Sequence, residues 1–207
     1  MANHILYLAS KSESRKKLLQ KAGITFEIIE QDADETRCDW NLPLQQVVES
    51  IARYKMEHVI LPTGKEGQTI FVLTADTLSI DATGAIRGKP NDKADAVAML
   101  KAACKGPNIC GTAFCLDKKL FKNGSWHTDK RIINYAQATY EFDIPDEWID
   151  EYITRVDALQ AAGAIRIEDG AQFVKSISGS YSAIVGLPMF ELRLALMALG
   201  FYDLLKK

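Results

Sequence analysis

Cysteine and histidine are few in this sequence and badly spaced for a metal. The four cysteines, Cys38, Cys104, Cys110 and Cys115, form no C-x-x-C pair, and the three histidines, His4, His58 and His127, lie far apart. That spacing excludes a zinc site, and scattered free thiols fit a reducing compartment. An excess of one charge is missing as well. A formal net charge of −2 excludes a general binder of nucleic acid or of an anionic membrane, since both need a broad cationic surface. Any anion site must therefore be local. A long unbroken apolar run is also absent. Residues 187–205 are the most apolar late stretch, but Glu191, Arg193 and Asp203 interrupt them, so they read as an amphipathic closing helix and its extension. No leader pattern opens the chain, and the expected location is the cytoplasm. There is no internal repeat, low-complexity tract or linker.

What remains is an ordinary soluble composition: 207 residues, 47% hydrophobic and 25% charged, enough for a substantial core. The chain is organised around its first forty residues. A short apolar strand, Ile5-Leu6-Tyr7-Leu8-Ala9, runs into Ser10-Lys11-Ser12-Glu13-Ser14-Arg15, and then Leu18, Leu19 and Ala22 follow at helical spacing up to Gly23. Hydroxyls and a guanidinium thus crowd a strand-to-helix corner, where free backbone N–H groups suit phosphate. The plainer alternative is a serine N-cap followed by a solvated basic face.

A second strand is expected at residues 26–29, and the acidic run at 32–35 falls on a loop. Its carboxylates either hold a metal or simply keep the loop polar. Leu44, Val47, Val48, Ile51 and Val59 recur at helical spacing, with Lys55 at the edge of that stripe. Its stem can pack while its ammonium reaches a cleft, the alternative being a solvated lysine. The most apolar strand then delivers Asp76-Thr77 in mid-run. A buried carboxylate must be paired, hydrogen-bonded or metal-bound, which makes Asp76 the leading candidate for chemistry.

Residues 81–84 turn the chain and 86–90 bring it back as a hairpin. Gly84 and Gly88 enclose three residues where a P-loop needs four, and Pro90 stands where that motif needs Ser or Thr, so the P-loop reading fails. Asp92 caps a helix bearing Ala94, Val97, Leu100 and Ala103. Strands follow at 109–116 and 136–142, with a turn at Gly124. Pro145 opens a helix containing Trp148, Ile149, Tyr152 and Ile153. Residues 161–170 are rich in small residues, 173–177 read as a strand, Gly179-Ser180-Tyr181 as a turn, and Pro188 starts the last helix.

In this order the motifs resemble the Maf family of nucleoside triphosphate pyrophosphatases over nearly the whole chain. Leu8-Ala9-Ser10-x-Ser12-x-x-Arg15 resembles the family's L-A-S-x-S-P-R-R, Asp34-Glu35 its acidic pair, and Ala52-x-x-Lys55 its helix lysine. Ala75-Asp76-Thr77, Gly88-Lys89-Pro90, Gly179-Ser180-Tyr181 and Val185-Gly186-Leu187-Pro188 match its later motifs. The resemblance implies a single domain over residues 1–207. Its fold would be α/β, a mixed curved sheet flanked by helices, with two lobes around a nucleotide-binding cleft, and a homodimer is among its implications. It also implies hydrolysis of a nucleoside triphosphate to monophosphate and pyrophosphate with Mg²⁺ or Mn²⁺. Asp76 would be the base, Glu35 and Asp76 would hold the metal, and Ser10, Ser12, Arg15, Lys55 and Lys89 would bind phosphate.

By the same resemblance, Ser14, Thr77 and Glu168 would fall at the three positions that discriminate the base in the family. Members acting on dTTP and UTP carry Arg, Thr and Gln there, and only Thr77 agrees. Members acting on 7-methyl-GTP carry an aromatic, Gln and Glu and lack the late lysine, replaced here by Ala161. A carboxylate accepts only and fits the N1–H and N2–H₂ of guanine, so the expectation leans toward 7-methyl-GTP with dTTP/UTP as the other choice. The missing second arginine and late lysine leave a second reading, a nucleotide-binding regulator of cell division with weakened catalysis.

Overall fold

Short strands separated by helices cannot pair as hairpins, so the opening strands must pair in parallel through crossovers. The computed structural model describes residues 5–202. Its elements are β1 (Leu6–Leu8), α1 (Glu13–Lys21), β2 (Phe26–Ile28), α2 (Leu44–Glu57), β3 (Thr69–Ile80), β4 (Ile86–Arg87), α3 (Lys93–Ala103), β5 (Asn108–Lys122), β6 (Ser125–Phe142), α4 (Ile149–Val156), β7 (Val174–Gly179), α5 (Tyr181–Val185) and α6 (Met189–Ala198). The seven strands form one mixed sheet in the order β2-β1-β3-β5-β6-β7, with β4 paired to β3. β1 lies parallel to both β2 and β3, with Leu8 opposite Ile28 and Leu73. The fold is therefore α/β with a mixed sheet flanked by helices. Among the described residues no helix is long and apolar enough to cross a membrane.

α1 begins and ends where its residues require. Ser12 caps it by accepting from the Arg15 N–H at 3.5 Å. Gly23, at φ +67°, ends it in a Schellman motif, with Ile24 N–H on the Leu19 carbonyl and Gly23 N–H on that of Gln20. α6 stops the same way at Gly200, and the expected extension to Leu205 lies outside the described residues, as does His4. α2 ends at Glu57, so Val59 falls beyond it, in a bridge with Gln31. Pro145 leads first into a single 3₁₀ turn, Asp146–Trp148, before α4. Asp92 caps α3 as expected, accepting from Asp95 N–H at 2.8 Å.

β5 and β6 run much longer than the expected 109–116 and 136–142. They meet at Asn123-Gly124, both at positive φ, which closes a two-residue hairpin. The hairpin carries a buried charged cluster that the sequence reading missed. Asp117 is fully buried and accepts from Arg131 Nε at 2.7 Å, Arg131 Nη2 at 2.9 Å, Lys119 Nζ at 2.8 Å and Thr128 Oγ1 at 3.2 Å.

By their internal contacts the residues fall into two compact units. One holds the residues up to Asp76, Ala113–Tyr135 and those from Gly186 on; the other holds Thr77–Thr112 and Ala136–Val185. The first has a core of Leu6, Leu8, Leu19, Phe71, Leu73, Phe114, Leu192 and Leu196, in which Phe71 meets Phe201 edge-on at 5.1 Å. The second is built on Leu100, Tyr140, Phe142, Tyr152 and Phe173, with Phe142 and Phe173 each edge-on to Tyr152. In that unit Gly179, at φ +108°, must be glycine, because a Cβ would stand 2.6 Å from the Gln137 carbonyl oxygen.

Candidate active site

The period of two along β3 decides which side chains can meet α2. Phe71, Leu73 and Ala75 belong to the core with α6, so Thr74 and Asp76 project from the opposite face. Thr74 Oγ1 there donates to the Ala52 carbonyl of α2 at 2.7 Å. Lys55 lies three residues on from Ala52, hence on the same face of the helix, and its Nζ reaches Asp76 Oδ1 at 2.7 Å. Both residues are buried, 8% exposed for Lys55 and 6% for Asp76. The solvated-lysine alternative is thereby overturned, and the requirement that a mid-strand carboxylate be paired is met.

Lys55 Nζ also pairs with Glu35 Oε1 at 2.9 Å. The acidic pair of the loop divides its work. Asp34 caps the 3₁₀ turn Glu35–Arg37, accepting from Thr36 N–H at 3.2 Å and Thr36 Oγ1 at 2.6 Å, while Glu35 turns to the lysine. Backbone bonds from Asp32 N–H to the His58 carbonyl and from Ile60 N–H to that of Glu30 strap this loop to the end of α2.

The corner after β1 joins the same group. Arg15 donates Nη1 to Ser10 Oγ at 3.1 Å and Nε to the Gly186 carbonyl at 2.8 Å, and Ser10 Oγ also accepts from Ser12 N–H at 3.3 Å. Burial pulls the Arg15 guanidinium below its ordinary value, while Asp76 and then Glu35 pull it back up, so both carboxylates lie within electrostatic reach. A guanidinium keeps its charge regardless. Burial raises the Cys38 thiol, as do the same two carboxylates, with Lys55 opposing them. Ser10, Ser12, Arg15, Glu35, Lys55 and Asp76 are therefore brought together in the first unit. Ser12 serves as the N-cap, so the plainer reading of the serine is correct for its side chain, and Ser14 sits in the first turn of α1.

Lys89, Thr77 and Glu168 belong to the second unit. Lys89 is exposed and donates to Gln160 Oε1 at 3.1 Å, while Gly163 N–H bonds the Gly88 carbonyl at 2.9 Å and ties the small-residue segment to the Gly-Lys-Pro turn. Asp81 braces that turn, with its Oδ2 accepting from Arg87 Nε at 2.7 Å. Burial would raise the Asp81 carboxyl, but the hydrogen bonds from Thr83 and Arg87 outweigh it and hold it below its usual range. Thr112 donates its one hydroxyl proton to the Ala183 carbonyl at 2.6 Å, so Thr77 is the donor in the 2.8 Å bond between the two hydroxyls. Glu168 is half-buried, and burial followed by the charges of Glu168 and Asp169 raises the phenol of exposed Tyr181.

Two polar placements were invisible in the sequence: the Gly186 carbonyl that orients Arg15 and the Gln160 amide that holds Lys89. Only the glycine carried any signal, as part of a closing motif.

The site fits a divalent cation through its orphaned atom. Asp76 Oδ2 is buried with no hydrogen-bond partner, an expensive condition for a carboxylate oxygen unless something is meant to sit there. Among the described residues no group of three or more His, Cys, Asp or Glu gathers for a metal. Two carboxylates are nonetheless enough for Mg²⁺ or Mn²⁺ when substrate phosphates and water complete the shell.

The family described as Maf-like protein matches residues 5–199. The chain is 36% identical to a dTTP/UTP pyrophosphatase of Geotalea uraniireducens, covering 94% of this chain and 95% of the relative. It is 32% identical to one of Caldicellulosiruptor bescii, covering 97% of both. A third, from Citrifermentans bemidjiense, is 33% identical over 97% of this chain and 98% of the relative.

Proposed function

Because the chain belongs to the Maf-like protein family, we propose that it hydrolyses dTTP or UTP to the nucleoside monophosphate and pyrophosphate. The broader activity, nucleoside triphosphate pyrophosphatase and hence hydrolase of an acid anhydride, is that of the relatives it matches end to end. The observation that carries the reading is Asp76, buried on β3 with one oxygen on Lys55 and the other unpartnered, beside Glu35 and Arg15.

Each residue has a task that its chemistry suits. Arg15, braced by Ser10 and Gly186, and the open N-terminus of α1 offer donors to a phosphate. Lys55 and Lys89 add positive charge against the triphosphate tail. The Asp76 carboxylate can orient a water and take its proton. Glu35 and Asp76 would hold the divalent cation, which when bound would neutralise phosphate charge and make water a better nucleophile. Retention of this whole group favours an enzyme over a regulator with weakened catalysis.

The expected base preference is corrected. The lean toward 7-methyl-GTP rested on Glu168 and Ala161, and it finds no support among relatives that match end to end and are named for dTTP and UTP. Two positions do not outweigh agreement along the chain, and Thr77 already matches the pyrimidine pattern. Glu168 still has a consequence. A glutamine amide both accepts from N3–H and donates to O4 of uracil or thymine, whereas a carboxylate leaves O4 facing another acceptor. Pyrophosphate release from a panel of nucleoside triphosphates should therefore favour dTTP and UTP in the wild type. Glu168→Gln should sharpen that preference, by roughly tenfold in kcat/KM, the scale of one repaired polar contact. An unchanged substrate profile would remove Glu168 from base recognition.

A further inference from the structure

The Lys55 ammonium is paired with both of the carboxylates that a metal ion would need. It lies 2.7 Å from Asp76 Oδ1 and 2.9 Å from Glu35 Oε1, between the two carboxylates proposed to hold the divalent cation. We propose that Lys55 is a built-in cation that keeps the metal position closed until the nucleotide arrives, when the ammonium passes from the carboxylates to phosphate oxygens. The inference rests on the assignment of Glu35 and Asp76 as the metal-holding pair.

Three features support the exchange. The lysine side chain is 10% exposed and has both carboxylates as its ion-pair partners, so it leaves them only for another anion. Lysine is a point charge on a flexible stem and can swing to a new anion without moving α2. Asp76 Oδ2 is left unpartnered, so the ammonium fills the site incompletely and a cation with more coordination positions fits it better. A dication beside an ammonium in a buried setting is strongly repelled, so metal alone must expel Lys55 with nothing to receive it. A triphosphate supplies that receiver. Metal and nucleotide binding are consequently coupled, each strengthening the other by the same factor.

The test is Mn²⁺ binding to the nucleotide-free protein, read from the paramagnetic resonance signal of free Mn²⁺. Lys55→Met is expected to bind Mn²⁺ at least roughly tenfold more tightly than the wild type, because a site blocked most of the time loses affinity in proportion. Its thermal midpoint should also rise with Mn²⁺ more than that of the wild type. Lys55→Gln, whose amide can still donate to Asp76, serves if the methionine variant does not fold. The wild type gives an independent readout. Acetylation of Lys55, followed by mass spectrometry, should speed up as Mn²⁺ saturates the protein. Equal Mn²⁺ affinity in wild type and variant, or Lys55 acetylation unmoved while Mn²⁺ binds, would overturn the proposal. Pyrophosphate release from the same wild-type preparation is scored separately. Its absence would defeat the proposed reaction and leave the Mn²⁺ comparison standing.

Discussion

Asp76→Asn is expected to lose pyrophosphate release by a factor on the order of 10³ or more while nucleotide binding measured without divalent metal changes only a few-fold. The substitution keeps the shape of the side chain and removes its charge. An amide oxygen cannot take a proton from water, and a neutral amide holds a divalent cation more weakly than a carboxylate, so both proposed tasks of the residue suffer at once. Binding survives because the groups assigned to phosphate, Ser10, Ser12, Arg15 and Lys89, are untouched. Lys55 keeps Glu35 as a partner at 2.9 Å, so the ammonium is not stranded. The check pairs a pyrophosphate assay with equilibrium binding of a triphosphate in the absence of divalent metal. Turnover within tenfold of the wild type would take the base role away from Asp76.

The largest loss of stability is expected far along the sequence from those residues. Asp117 is fully buried and neutralises Arg131 and Lys119 together, with Thr128 closing the group. Asp117→Ala takes the buried anion away from Lys119 and leaves Arg131 only the longer pair to Glu57 Oε1 at 3.5 Å. Breaking a buried ion pair from one side costs about 3–5 kcal/mol. In a chain of this length that lowers the thermal midpoint by roughly 6–20 °C. The pH dependence follows from the direction of the shift. Burial pushes the Asp117 carboxyl up, but hydrogen bonds from Arg131 and Lys119, with their charges, outweigh it and hold the carboxyl below its usual range. Its contribution is therefore complete above the unfolded carboxylate value of about 3.9 and is lost as pH falls below that. Urea unfolding at pH 7 and at pH 3 measures both, and the wild type should approach the variant at the lower pH. A variant as stable as the wild type at pH 7 would mean that the two cations find water once the carboxylate is gone.

Legibility from sequence followed burial. β1 and β3 stood out because their residues are buried on both faces, and Asp76 stood out against that background as a charge where none belongs. Lys55 was visible as the edge of a helical stripe. Its burial was not, because a stripe says which face packs but not which anion lies across from it. Glu35 was visible only as one carboxylate of an acidic run, and the family motif singled it out, since an acidic loop has no period to read. The outer half of the β5–β6 hairpin was missed because its residues are largely charged and break the alternation that marks a strand. The Asn123-Gly124 pair was the available signal, and it would have extended both strands and set Asp117 against Arg131. Nothing local could have linked Arg15 to the Gly186 carbonyl, because pairs 171 positions apart are made by the sheet order rather than by any motif.

The most direct test of the central claim is the identity of the products. With dTTP or UTP and Mg²⁺, phosphorus resonance spectra should show nucleoside monophosphate and pyrophosphate appearing in equal amounts, with no nucleoside diphosphate. Orthophosphate accompanied by nucleoside diphosphate would place the cleaved bond at the terminal phosphate and contradict the assignment.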